Sequence, residues 1–227
     1  MSGLYPYCVL PLGHAPAPGL EGLGGRPVYG QAIGSFTVWV SDEDEAPLPE
    51  LDRVVRHNEV VRSAIDSTTP LPVRFGSWAP DLGALTDRIL RNRTEIDAAL
   101  AAVADHREFG VRVSNASSMP ELRPAAASQE GGRGYLRSLS SAHATRTLRR
   151  EEQNEVVERL RSFLRDLPAA ERVGYLDAPE LVSVAHLVHR DDEARYRAFV
   201  ADFVVAAQGK LRVHLTGPWP PYSFAST

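Results

Sequence analysis

Two histidines three residues apart, in the stretch His186-Leu187-Val188-His189, have the look of metal ligands. The run from Leu181 to His189 is almost wholly apolar, which reads as a buried strand, and side chains three apart on a strand point to opposite faces. One ion cannot be held by both. Cys8 is the only cysteine, so neither an intrachain disulfide nor a cysteine-based metal knuckle can form. It sits in a proline-flanked strand segment, with no helix N-terminus or neighbouring cation to make it nucleophilic. The Gly-x-Ser-x-Gly elbow of a hydrolase is absent. Glycine clusters at 22–25 and 131–134 lack the phosphate-loop spacing that ends in Lys and then Ser or Thr, and the sole lysine, Lys210, is remote from both. The acidic run Asp42 to Glu45 has no calcium-loop spacing and reads as a solvated turn. His214 is expected on the outer face of a strand. The expectation is therefore no catalytic constellation, no metal site, no cofactor and no enzymatic reaction.

Charge excludes further classes. The chain has 227 residues and a formal net charge of −4, so no overall basic field invites nucleic acid or acidic membrane. Arg146, Arg149, Arg150, Arg159, Arg161 and Arg165 make one helix basic, but Glu151, Glu152, Glu155 and Glu158 interleave with them. That pattern is an exposed ion-pair face rather than an RNA groove. No stretch approaches the roughly 18 apolar residues of a membrane span, and the N-terminal residues do not read as a signal peptide. A cytoplasmic protein is expected, with neither nucleic acid nor membrane among its partners.

The elements that position these residues follow from periodicity. Residues 4–10 read as a strand and 28–41 as a hairpin turning at Gly34. Residues 50–65 read as a helix with Leu51, Val54, Val55, Val61 and Ile65 on one face and His57-Asn58 within it. Pro70 and Pro72 hold 70–78 extended. A single helix after Asp81 then carries Leu82, Leu85, Ile89, Ile96, Leu100 and Val103. From Glu108 a strand alternates Phe109, Val111 and Val113 with polar residues. A helix follows with Val156, Val157, Leu160, Phe163, Leu164 and Leu167, then strands at 173–177 and 181–189. The last helix presents Tyr196, Phe199, Val200, Phe203 and Val204, capped by Asp191 or Asp192, and leads to a strand with Leu211, Val213 and Leu215 inward.

The order strand, helix, strand, strand, helix, strand is that of a split β-α-β sandwich. The expected architecture is α+β in two domains. Residues 1–107 form an N-terminal α+β domain and 108–227 a modified ferredoxin-like C-terminal domain. The latter contains a Ser-, Ala-, Pro- and Gly-rich excursion at about 114–134, read as flexible, and an aromatic-proline tail.

Three stretches remain, and they are apolar rather than reactive. Residues 71–78, LPVRFGSW, gather Leu71, Val73, Phe75 and Trp78 about Arg74. Residues 132–136, GRGYL, carry Tyr135. Residues 217–224, GPWPPYSF, set Trp219, Tyr222 and Phe224 among Pro218, Pro220 and Pro221. Prolines remove donors and fix φ, so a stiff, extended arm docked on some surface is expected of the last. Leu71, Arg74, Phe75, Trp78, Tyr135, Trp219, Tyr222 and Phe224 are the candidates for partner binding or for packing at a domain junction. For Arg74 the packing alternative is a covered guanidinium bonded to backbone carbonyls, with His57 and Asn58 as local partners.

These stretches, in this order, resemble the gas vesicle protein F and L family. Leu4, Tyr5 and Tyr7 match its N-terminal Leu-Tyr-x-Tyr strand. His57 precedes the match to Leu-Pro-x-Arg-Phe-Gly at Leu71, Pro72, Arg74, Phe75 and Gly76. Gly132, Arg133, Tyr135 and Leu136 match its central motif, and Gly217 through Tyr222 with Phe224 match its terminal one. The resemblance implies two α+β domains, the second ferredoxin-like. It also implies an accessory role in building gas vesicles, by chaperone-like or nucleating contact with the hydrophobic shell protein GvpA, and contacts with other gas vesicle accessory proteins. The implied location is the cytoplasm and the gas vesicle. A ligand sensor or small enzyme on a ferredoxin-like fold is the alternative, because that fold hosts many functions. It would show a pocket near His186 or His214.

Overall fold

The computed structural model describes residues 3–116, 132–177 and 179–225, with side chains of 132–145 left out. The chain forms two compact units. The first comprises residues 1–109, 187–190 and 217–227, and the second residues 110–186 and 191–216.

In the first unit, strands β1 (Gly3–Pro11), β2 (Tyr29–Ile33), β3 (Phe36–Glu43) and β4 (Leu71–Pro72) make a sheet of order β2-β3-β1-β4. β2 and β3 pair antiparallel through a two-residue turn at Gly34-Ser35, so the expected hairpin is present. β1 pairs with β3 with a register shift between Pro6 and Cys8. An extra residue in a strand reverses which face its later side chains meet. Leu4 and Val9, five positions apart, accordingly share one core cluster, while Tyr5, Tyr7, Cys8 and Leu10 share another. β1 is buried on both sides as a result.

One face of this sheet, with Phe36, Val38 and Val40, packs on α2 (Leu82–Arg91) and α3 (Arg93–Val103) through Leu85, Ile89 and Ile96. The single helix expected after Asp81 is therefore two, divided at Asn92, whose backbone at φ −100° and ψ 19° leaves the helical region. Its Nδ2 donates to the Arg88 carbonyl and closes α2. Asp81 caps α2, accepting from Ala84 N at 2.8 Å.

The opposite face packs on α1 (Leu51–Arg62). The inward residues there are His57, Val60, Val61, Ala64 and Ile65, whereas Leu51 is 77% exposed and Val55 46% exposed. The face assigned to α1 from apolar residues alone is thus rotated from the real one. The spacing 57, 60, 61, 64 is helical only if the histidine counts as an interior residue. The acidic run is also corrected. Ser41, Asp42 and Glu43 belong to β3, and Glu43 is buried at 9% exposure.

In the second unit the elements run β5 (His106–Asn115), α4 (Gly132–Leu164), β6 (Pro168–Tyr175), β7 (Glu180–His189), α5 (Glu193–Ala206) and β8 (Leu211–Trp219), with sheet order β6-β7-β5-β8. Its first and third strands are central, the arrangement of a ferredoxin-like split β-α-β sheet. The ends of β5, β7 and β8 at 106–109, 187–189 and 217–219 are counted with the first unit. α4 contributes Val156, Val157, Leu160 and Leu164 and α5 contributes Tyr196, Val200 and Phe203 to the interior. Val204, expected inward, is 42% exposed. Phe163 and Phe203 meet edge to face at 5.7 Å between ring centres. Most of the expected excursion, residues 117–131, lies outside the described residues.

Candidate functional site

The segment after β4 turns alternate side chains in and out of the first unit. Leu71, 2% exposed, is a core residue of the cluster between the sheet and α2-α3. Phe75 turns to the other side, edge-on to Tyr5 at 6.1 Å and to His57 at 5.7 Å. Trp78 lies over β1, where a Cβ on Gly3 would come within 2.5 Å of its ring, and its Nε1 donates to the Glu43 carbonyl at 3.0 Å. Arg74 is exposed and bonds neither His57 nor Asn58, so the covered-hinge alternative does not hold.

His57 belongs instead to an aromatic group. The Tyr5 hydroxyl is hydrogen-bonded to His57 Nδ1 at 2.8 Å and accepts a long bond from Gly76 N at 3.5 Å. Tyr7 stacks on the imidazole at 5.5 Å between ring centres, and its hydroxyl accepts from Leu23 N and bonds Ser41 Oγ. Burial holds His57 neutral, with its pKa lowered to about 4 and the Val73 backbone offsetting part of the fall. The motif residues Leu4-Tyr5-x-Tyr7, His57 and Phe75-Gly76 thus form one interior network. Gly22, in the glycine cluster at 22–25, has a packing reason of its own: a Cβ there would meet the Tyr7 hydroxyl at 2.1 Å.

Beside this network a cleft of about 390 Å³ opens between the β1–β4 edge of the sheet and α2-α3. Val9, Leu71, Val73, Ile89 and Ile96 form its apolar floor, and Arg74, Asn92 and Glu95 are exposed at its rim. Arg88 lines it half-buried, its Nη1 donating to the Trp78 carbonyl at 3.3 Å. Desolvation lowers the pKa of Arg88, and no carboxylate forms an ion pair with it among the described residues.

The tail does not extend as an arm. After Trp219 the chain turns, Tyr222 N donating to the Pro220 carbonyl and Phe224 N to that of Pro221. Pro220 and Pro221 are buried, and Ala225 packs against the cluster that contains Leu71. Ser223 donates from N and from Oγ to the two carboxylate oxygens of Glu108, each at 2.7 Å. Glu108 carried no signal in the sequence, being one acid among 29. Trp219 and Tyr222 stay 37% and 39% exposed and wall a hollow of about 420 Å³, while the Arg62 guanidinium lies 5.0 Å from the Trp219 ring centre. Leu71, Arg74, Phe75, Trp78, Trp219, Tyr222 and Phe224 all belong to the first unit. The side chain of Tyr135, on α4, lies outside the described residues.

In the second unit His186 is 1% exposed, with Nδ1 bonded to the Tyr196 hydroxyl at 2.8 Å and Nε2 3.6 Å from Glu171. Burial lowers its pKa to about 4. A hollow of about 300 Å³ lies beside it, lined also by Arg161, Arg165 and Glu171, and Arg161 is bonded to Glu171. Among the described residues no three His, Cys, Asp or Glu side chains converge as a metal site, and no helix is long and apolar enough to cross a membrane.

An α+β chain of two units, with an interior aromatic network, an open apolar cleft and a turned proline-aromatic tail, defines the class. The family model of gas vesicle synthesis protein GvpL/GvpF matches residues 3–226, and the chain belongs to that family. It is 30% identical to gas vesicle protein L of a Streptomyces strain, over 91% of this chain and 86% of that protein. It is 27% identical to gas vesicle protein L1 of Halobacterium salinarum, over 99% and 90% of the two chains. Gas vesicle protein F of the Streptomyces strain is 27% identical, over 97% and 98%. The fold is shared with crystal structures of GvpF from Anabaena, with a TM-score of 0.80 and 20% identity over 100% and 97% of the chains, and from Microcystis aeruginosa, with 0.79 and 20% over 99% and 99%.

Proposed function

We propose that this protein is an accessory factor of gas vesicle assembly that holds the hydrophobic shell protein GvpA in a chaperone-like way until it joins a growing shell. The observation that carries this reading is the cleft between the β1–β4 edge and α2-α3, apolar along its floor and open at its rim. A shell subunit with a gas-facing surface aggregates when that surface meets water. Covering a few hundred Å² at roughly 25 cal/mol per Å² offsets several kcal/mol of that cost. Such an interaction holds a subunit and still lets it go, with no covalent step and no cofactor. Other accessory proteins of the gas vesicle system are natural further partners, and the cytoplasm and the growing vesicle are the places where the handover occurs.

Co-expression with the shell protein tests the reading. Soluble shell protein should rise and co-purify with the wild-type chain. A Ser77→Trp variant, which fills the cleft from its lining, should lose most of that effect while melting as the wild type does. Shell protein that is equally insoluble with and without the wild-type chain, and never co-purifies, removes the proposal.

The ligand-sensor alternative draws on the hollow beside His186 with its arginine and glutamate lining. A metabolite screen by thermal shift, with His186→Asn as the control, separates the two.

A further inference from the structure

The cleft has a feature that apolar shielding does not require, namely two guanidinium groups without an anion. Arg88 stands half-buried on α2, its one hydrogen bond going to a neutral carbonyl at 3.3 Å. Arg74 is exposed on the opposite side of the same cleft, with no side-chain hydrogen bond or ion pair among the described residues. The remaining charged group of the lining, Glu95, pairs with neither.

Position near the C-terminus of α2 gives Arg88 a modest favourable interaction with the helix dipole. That does not supply what a desolvated guanidinium lacks, because its fork of donors matches a carboxylate and a lone carbonyl satisfies little of it. Four surface arginines of this unit illustrate the contrast. Arg26 meets Asp44, Arg53 meets Glu50, Arg56 meets Glu59 and Arg93 meets Asp97. Arg62, which lies over the Trp219 ring, and Arg91, bonded to the Asp87 carbonyl, also make no ion pair among the described residues, but Arg74 and Arg88 are the two that share the apolar cleft.

We propose that the cleft receives an apolar segment of the shell protein that carries one carboxylate side chain, and that the guanidinium groups of Arg88 and Arg74 bind this carboxylate. The inference rests on the reading of the cleft as the shell-protein contact, and it adds the chemistry by which the contact is selected. Apolar floor and basic wall divide the work. The floor takes up the segment's greasy face, and the arginines fix its register, since a charge-assisted bidentate pair is directional where apolar contact is not. Desolvation of Arg88 before binding strengthens its bond to an incoming anion, because part of the cost of removing water is already in the folded protein.

The test uses the full chain and synthetic peptides that tile the shell protein, each acidic peptide also made with Asp→Asn or Glu→Gln. Affinity is read by fluorescence anisotropy at low and high salt. One acidic peptide should bind. Arg74→Gln with Arg88→Gln should weaken it about tenfold or more, Arg88→Lys should weaken it less, and the amide form of the peptide should reproduce the loss without adding to it. Arg74 is exposed, so Arg74→Gln by itself gives a reading free of folding effects. If Ser77→Trp abolishes binding while the arginine variants bind as wild type, the cleft remains the contact and the carboxylate proposal is overturned. If Ser77→Trp and the arginine variants all bind as wild type, the cleft is not the contact and both readings fall. Binding that is equal for the acid and amide peptides also overturns the proposal.

Discussion

Both carboxylate oxygens of Glu108 are taken up by one residue, Ser223, through its backbone N–H and its hydroxyl at 2.7 Å each. A buried acid 115 residues away in sequence thereby fixes the turn of the tail. The groups that hold the tail are small, namely Ser223, Pro220, Pro221 and Ala225, and the large rings of Trp219 and Tyr222 are left partly open.

Replacing Glu108 with Ala should strand the Ser223 donors and free the tail. Leaving a buried donor unpaired costs about 1–3 kcal/mol, so the melting temperature should fall and Trp219 emission should shift to the red. Ser223→Ala, which removes one of the two bonds, should cost less. An unchanged melting temperature in Glu108→Ala would show that the tail is held by its prolines alone.

Acid should weaken the fold through two histidines. His57 and His186 are neutral in the folded protein, with pKa values lowered by burial to about 4 against 6.5 when exposed. The unfolded chain therefore binds more protons than the folded one between these values. Their contribution to stability is fully present above pH 6.5 and is lost as pH falls toward 4, on the order of 3 kcal/mol for each histidine. Urea midpoints taken from pH 7.5 to 4.5 should decline in that window, and the decline should shrink in His186→Asn.

Leu71 and Arg74 are three residues apart and should answer differently to substitution. Leu71→Ala opens a cavity in the core and should cost about 2–5 kcal/mol. Arg74→Gln should leave stability within about 0.5 kcal/mol. Thermal melts of the pair separate packing from contact within a single sequence motif.

Cys8 should be inert in the native state. It is fully buried, and burial pushes its thiol well above the usual range. Thiol titration should find no reactive group until denaturant is added, then one per chain. Rapid native labelling would mean that β1 opens locally.

Much of the fold was legible because period and punctuation survive without context. The alternation at Phe109, Val111 and Val113, the stripe from Val156 to Leu164 and the hairpin at Gly34 all appear where their residues place them. The misreadings share a cause. Counting only apolar residues misplaces the inward face of α1, where His57 is hydrogen-bonded to Tyr5 inside, and polarity makes the acidic run read as a solvated turn, although β3 carries Glu43 to 9% exposure. The division at Asn92 was missed because Ile89 and Ile96 keep one helical spacing across it.

Sequence alone determined the α+β class, the strand-helix-strand-strand-helix-strand order of the second unit and the family, since each rests on local periodicity or on motif residues in fixed order. Only the tertiary structure decided that Leu71 and Phe75 are interior, that Arg74 is free, that Arg88 joins it in one cleft and that Glu108 holds Ser223. Those facts depend on which distant segments meet, and a residue's type does not state whether its partner will be water, a carbonyl or an ion.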